Sequence, residues 1–256
     1  MSWGVDVTTD YYFRGIFQEN AGVIIQPYAD VTIDLLETDQ GDLTATLGIW
    51  NSFHEEQTGA GPGEGADFWY EADLFASFDL AISDSTSVGV IYTAYTSPNG
   101  AFSTVQEIGV YGSYGNSVEV AGIALDYEAH AGIYFEVDNG ADGFEEGIYA
   151  EIGFTPSTPV TVFDTEVTMS LPMVIGLSVD DYYEQAEAGG GTDDDTVGYI
   201  QVGLFGEVPI DAIPDRYGEY SFAAGVTLLW LNDHTQDINS GQDHEVIGTI
   251  GISGTY

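Results

Sequence analysis

Cysteine is absent from this 256-residue chain, so it can build neither a disulfide framework nor a thiolate-ligated metal site. Positive charge is almost absent too: two basic side chains stand against 43 acidic ones, for a formal charge of −41. Two arginines and no lysine cannot neutralise a phosphate backbone, which excludes nucleic acid as a partner. No stretch approaches the roughly 18 consecutive apolar residues of a membrane-spanning helix. The opening Met1-Ser2-Trp3-Gly4 has neither the charged nor the apolar region of a signal peptide. With the patterning described below, this predicts the mature form of an exported protein. Disorder is excluded by what is present: 44% of the residues are hydrophobic and 13% aromatic.

The dominant pattern is alternation of apolar and polar residues with period 2, the signature of strands with one apolar face. Trp3, Val5, Val7, Thr9, Tyr11 and Phe13 share one parity, against Asp6, Asp10 and Arg14 on the other. The pattern recurs over 25–35, 43–50 and 68–80, and most extensively over 121–137, from Ala121 to Val137. Further strands are expected near 86–96, 104–114, 144–155, 165–180, 196–206, 219–231 and 245–256. Helical periodicity and composition breaks are lacking. The expectation is one domain, 1–256, with about 12 strands, give or take a hairpin hidden in 160–179. Compact connections at Thr38-Asp39-Gln40-Gly41, Ser83-Asp84-Ser85-Thr86 and Gly115-Asn116-Ser117 contrast with long polar ones at 54–66, 182–195 and 232–244. Short turns at one end and long loops at the other are the habit of outer-membrane barrels. The connections at 156–164 and 209–218 are longer than that habit expects on the short side.

A soluble sandwich would bury the apolar parity, whereas a transmembrane barrel turns it to lipid. Three features favour an all-β, closed antiparallel transmembrane barrel. Aromatic residues of the apolar parity sort to strand ends: Trp3, Phe78, Tyr114, Phe154, Phe222 and Tyr256 toward one rim, and Tyr11, Phe13, Phe68, Tyr70, Phe135 and Trp230 toward the other. The apolar face carries many alanines, such as Ala45, Ala72, Ala76 and Ala129, which would pack a core poorly. The chain stops on Ile250-Gly251-Ile252-Ser253-Gly254-Thr255-Tyr256. This resembles the C-terminal signal that outer-membrane barrels present to their assembly machinery, with Tyr256 where Phe is usual.

Thr8-Thr9-Asp10-Tyr11-Tyr12-Phe13-Arg14-Gly15-Ile16-Phe17-Gln18 resembles the opening of a family of uncharacterised, porin-like bacterial outer-membrane proteins. Their first strand ends in Tyr-x-Phe-Arg-Gly-x-Ser-Gln. Tyr11, Phe13, Arg14, Gly15 and Gln18 match, and Phe17 stands where Ser or Thr is usual. The resemblance covers about 11 residues. It implies a barrel of about 12 strands in the bacterial outer membrane, and it implies no substrate.

The inward parity is acidic. Asp6, Asp10, Asp30, Asp34, Glu71, Asp73, Asp126, Glu128 and Glu151, with His130, are the expected pore lining, joined by Asp79, Glu107, Glu136 and Asp180. Arg14 is the one inward cation expected, pairing with Asp10, Asp30 or Asp34. A lumen so lined concentrates cations and repels anions. Passive diffusion of small solutes or cations is therefore the leading expectation.

The chief rival is a plugged barrel serving as a structural or adhesive surface protein. Trp50, Phe75, Tyr12, Tyr28, Tyr95, Tyr111, Tyr134 and Tyr149 point inward and together could close a narrow pore. A soluble acidic sandwich and a barrel enzyme are weaker rivals. His130 near Asp126 and Glu128 resembles the His–Asp pairing of outer-membrane proteases. Ser52 and His54 resemble the Ser/His pair of the outer-membrane phospholipase, although there the pair faces lipid. Without a nucleophile near His130, and with Ser52 and His54 on the inward parity, no covalent chemistry and no catalytic residue is expected. His234 and His244 bracket the last long loop, where they could meet a metal, although a lone loop histidine is more often just solvated. No cofactor is expected. Acidic loops (Asp180, Asp181, Glu184, Glu187 and Asp193 to Asp195; Asp138, Asp142, Glu145 and Glu146) suit weak Ca²⁺ binding, without the spacing of an EF-hand. The glycine run Gly189-Gly190-Gly191 is read as loop.

Overall fold

The computed structural model describes residues 1–38, 41–59, 67–120, 122–143, 145–186 and 192–256. Asp39 and Gln40 of the first expected turn, the middle of the 54–66 loop, Ala121, Glu187 and Gly189-Gly190-Gly191 lie outside them.

The strands are β1 (Ser2–Thr8), β2 (Tyr11–Phe13), β3 (Ile16–Glu19), β4 (Ile24–Thr38), β5 (Gly41–His54), β6 (Trp69–Ser83), β7 (Thr86–Thr96), β8 (Val105–Val120) and β9 (Ile123–Asp138). There follow β10 (Ile148–Val162), β11 (Thr165–Ser170), β12 (Met173–Asp180), β13 (Glu184–Ala186), β14 (Thr192–Asp194), β15 (Val197–Pro209), β16 (Glu219–Leu231) and β17 (His244–Thr255). One short helix, α1 (Asp233–Ile238), lies between the last two.

Thirteen of these strands form one antiparallel sheet. β11 and β12 are two halves of a single course, since both pair with β10 and with β15, which leaves twelve staves. The sheet closes where β1 pairs with β17, Ser2 opposite Thr255 through Thr8 opposite Thr249. Closure removes both edges, as backbone in hydrocarbon requires. The stretch 160–179 holds one tight turn, which joins β10 to β11, and after it the chain is one course interrupted at Leu171-Pro172. There Leu171 N donates to Pro156 O and Gly203 N to Pro172 O, carrying the ladder past the proline.

Side-chain exposure settles which face is outside. Leu47, Leu74 and Ile152 are 61%, 56% and 58% exposed, whereas Tyr149, Ser52 and Glu107 are 0%, 0% and 2% exposed. The apolar parity points away from the barrel and the polar parity into it, the reverse of a soluble sandwich. Outward aromatics form two belts. Near the termini, Trp3 meets Tyr220 edge-on, and Tyr114, Tyr127 and Phe154 run in contact at 6.2 and 5.8 Å. Near the opposite rim, Phe53 stacks on Phe68 and Trp69, with Phe135 and Trp230 at the same end of their strands.

The ends at which β4 meets β5, β6 meets β7, β8 meets β9, β10 meets β11 and β15 meets β16 lie at the rim that carries the termini. The ends that lead from β1 to β4, β5 to β6, β7 to β8, β9 to β10, β12 to β15 and β16 to β17 lie at the other. Four expectations are corrected. The compact turn expected at 115–117 is strand, because β8 runs on to Val120, which pairs with Ile123 at the start of β9. The connection expected at 156–164 shrinks to Phe163-Asp164, both with positive φ. The first strand stops at Thr8, and residues 11–19 form a separate hairpin, β2–β3, paired only with itself. Tyr11 and Phe13 therefore leave the aromatic belt for the lumen; Tyr70 joins them because a register break opposite Ser52 and Phe53 turns it inward.

Candidate functional site

The hairpin β2–β3 folds into the loop-side half of the barrel. Its tip is Arg14-Gly15, with φ of +49° and +83°. Two positive φ values in succession suit a two-residue hairpin turn of the type that follows strand twist. Glycine takes this conformation freely, whereas arginine adopts it at a cost of about 1–2 kcal/mol. The surroundings of Arg14 offset that cost. Its Nη1 and Nη2 donate to the two carboxylate oxygens of Glu107 on β8 at 2.5 and 2.9 Å, a fork-to-fork pair. Nη1 also donates to Tyr182 Oη at 3.1 Å. The guanidinium carbon lies 4.0 Å from the ring centre of Tyr149, 4.7 Å from Tyr134, 5.0 Å from Phe13 and 5.6 Å from Tyr182. A planar, weakly hydrated cation suits such an aromatic cage, and Lys would not replace it.

The rest of the hairpin ties to the wall around most of its circumference. Tyr11 Oη donates to Glu71 on β6 at 2.9 Å, and its ring packs on Trp50. Phe13 meets Tyr95 of β7 at 5.0 Å, and Tyr12 reaches Glu245 of β17. Asn239, just past α1, donates to Gly15 O at 2.6 Å and accepts from Phe17 N at 2.7 Å. Tyr183 donates to Arg14 O at 2.9 Å. Beneath the tip, Ile16, Tyr149, Tyr182, Tyr183, Tyr199, Leu229 and Leu231 make a buried apolar cluster inside the barrel.

At the base of the hairpin, Glu19 accepts from the amides of Asn20 and Ala21 at 2.8 Å each and from Thr58 Oγ1. Burial alone would raise this carboxyl. The hydrogen bonds from Thr58, Ala21 and Asn20 outweigh burial and hold it below the ordinary glutamate range. Thr58 Oγ1 also meets His54 Nδ1 at 2.9 Å, and His54 Nε2 meets Ser52 Oγ at 2.8 Å. Ser52 and His54 are both buried, and the ring of Tyr70 stacks on His54 at 4.5 Å. The pair braces the hairpin from beneath and presents no open face to a substrate.

The structure separates the expected lining residues by depth. Glu71 and Asp73 are buried side by side behind the hairpin, hydrogen-bonded to each other. Glu151 accepts from Tyr149 at 2.9 Å, and His130 lies 3.7 Å from it. His130 thus faces Glu151 on the neighbouring strand rather than Asp126 and Glu128. Asp6 lies over Gly251 and Asp30 accepts from Ser2, both on the terminus-side half. Asp126 and Glu128 are exposed and line a recess of about 680 Å³ at the terminus rim. Asp34 is exposed toward that same rim. Asp10 lies beyond the end of β1, where its carboxylate takes the hydroxyl of Thr9. Arg14 pairs with none of Asp10, Asp30 or Asp34, because the chain turns inward after β1 and carries it across to Glu107.

Sequence reasoning missed Tyr182, Tyr183, Asn239 and Glu19. A pair of tyrosines inside an otherwise acidic loop is the one signal that could have found the first two, because such rings seek burial. Two of the loop carboxylates read as candidate Ca²⁺ ligands accept hydrogen bonds from the protein. Asp194 accepts from Ser178 Oγ and Tyr183 N, and Asp142 accepts from Glu184 N. Among the described residues no group of three or more His, Asp or Glu is arranged to hold a metal.

No family model and no curated protein matches the sequence. Solved structures do match the fold. LpxR from Salmonella typhimurium is similar with a TM-score of 0.53 at 8% identity, over 100% of both chains. A bacterial polysaccharide outer membrane secretin gives 0.52 at 9% identity, over 100% of this chain and 98% of its own. The NanC porin gives 0.50 at 10% identity, over 99% and 100%. At these identities the likeness is one of fold: this chain is a closed, twelve-strand antiparallel barrel of the outer-membrane type.

Proposed function

We propose that the protein is a porin-like barrel of the bacterial outer membrane whose resting lumen is closed at the loop side by hairpin β2–β3, and that it passes small cations or neutral solutes when the hairpin is displaced. The observation that carries this reading is the Arg14–Glu107 pair, which holds the hairpin across the lumen above an acidic recess. Three further features support it. The hairpin pairs with no wall strand, so it can move without opening the barrel. Many of its ties are hydrogen bonds and one ion pair, which can break and re-form. The terminus-side mouth displays Asp84, Asp126, Glu128, Glu166, Glu207 and Glu219, a field that gathers cations. In this reading the outward apolar belt meets outer-membrane lipid, and the last strand, ending in Tyr256, is offered to the assembly machinery. No covalent chemistry is assigned.

The second reading is a permanently plugged barrel with a structural or adhesive role, favoured by the apolar cluster beneath the hairpin tip. Planar-bilayer recording of the detergent-folded chain separates the two. The gated reading predicts rare openings for the parent and frequent, cation-selective openings for Arg14→Ala. An Arg14→Ala barrel that is folded, inserted and silent would leave the structural reading standing.

A further inference from the structure

A second chamber lies at the loop rim, between hairpin β2–β3 and the connections 97–104 and 139–147. It encloses about 330 Å³, at the small end of the roughly 300–1,000 Å³ of ligand pockets. Four aromatic rings in two edge-to-face pairs stand in its wall, which small and polar residues such as Gln18, Ser103 and Asn139 complete. Phe13 meets Tyr95 at 5.0 Å, and Tyr70 meets Phe102 at 5.5 Å. Among the described residues Glu71 is the only acidic or basic one lining it. Behind Glu71 lies Asp73, buried and hydrogen-bonded to it.

The same barrel shows what this set of groups holds. Around Arg14, aromatic faces and one carboxylate enclose a cation, and Phe13 contributes to both cages. The chain has no cation to offer the second chamber. Of its two arginines, Arg14 is committed to Glu107, and Arg216 lies at the opposite rim, over the ring of Tyr217. Aromatic faces stabilise a diffuse organic cation and leave a strongly hydrated metal ion under-coordinated.

We propose that this chamber is a binding site, entered from the loop rim, for a small organic cation such as a quaternary ammonium compound. The Phe13, Tyr70, Tyr95 and Phe102 rings enclose the apolar substituents, and Glu71 faces the charge. The chamber is formed with the hairpin seated, as in the structure, so binding here does not require the barrel to conduct.

Titration of the folded full-length chain with choline, followed by calorimetry, tests the proposal, with dimethylbutanol as the neutral probe of nearly the same shape. Choline should saturate one site, and dimethylbutanol should bind about ten-fold more weakly or worse, the ratio expected for losing roughly 1.4 kcal/mol of cation–π and ionic attraction. Phe102→Ala, a change in a rim loop, should lower choline affinity about five-fold or more. Absence of saturable choline binding, equal binding of both probes, or full affinity in a folded Phe102→Ala chain would each overturn the assignment. The two-probe comparison uses the unaltered chain, so it decides even if the variant does not fold.

Discussion

Arg14 concentrates the energetics of the lumen. It is a cation with positive φ, buried among rings, and bidentate to a carboxylate that is 2% exposed. Removing one partner of such a pair strands the other, at a cost of about 3–5 kcal/mol. Arg14→Ala should therefore destabilise the hairpin by about that much, read as a lower denaturation midpoint in urea or on heating. Arg14→Ala combined with Glu107→Gln should recover part of the loss, since no buried charge is then left unpaired. Equal losses in the single and double variants would contradict the ion-pair account.

Glu19 adds a pH dependence at the same scale. Its carboxyl is lowered in the fold, so the unfolded chain takes up the proton first as pH falls. The stabilisation is fully present above the ordinary glutamate range and disappears as pH drops through the depressed value. Glu19→Gln should thus lower the thermal midpoint at neutral pH, and the gap to the parent should close in acid. A gap of constant size from neutral to strongly acid conditions would contradict this.

Among the elements, the hairpin explains why one short motif was legible and yet misplaced. Tyr11, Phe13, Arg14, Gly15 and Gln18, the residues of the porin-like resemblance, all belong to the plug. Tyr11 bonds Glu71, Phe13 meets Tyr95 edge-to-face, Gly15 makes the turn, and Gln18 accepts from Tyr70. Alternation continues unbroken from Trp3 to Phe13, so periodicity alone extends β1 through it. A strand facing lipid and a hairpin packed inside a lumen share period 2. The Arg14-Gly15 turn marks where they part.

The wall strands were legible because lipid on one face and polar lumen on the other impose alternation at every position. Where an inward aromatic lies flat on the neighbouring strand, the wall needs glycine. A Cβ at Gly176 would approach Tyr199 to 2.1 Å. Gly176→Val should cost about 1–3 kcal/mol through overpacking, measured by heat-modifiable migration on gels. Wild-type stability in that variant would show that Tyr199 can move aside.

For the whole molecule, the barrel, its twelve staves and the acidity of its lumen followed from composition and parity. The closure did not, because it depends on contacts between residues far apart in the chain: Arg14 with Glu107, Gly15 with Asn239, and Arg14 with Tyr183. Inward tyrosines hinted at a narrow lumen, but nothing local tells a tyrosine lining water from one packed on an inserted hairpin. The central claim is that hairpin 11–19 seals the loop-side lumen while the terminus-side recess stays wet. Because the chain has no native cysteine, single substitutions report water access directly. Labelling of Ser52→Cys and Asp126→Cys with a water-soluble thiol reagent, in folded protein, is the most direct measurement. The account predicts fast reaction at position 126 and slow reaction at position 52, rising when Arg14→Ala is added. Equally fast labelling at both positions in the otherwise native chain would contradict it.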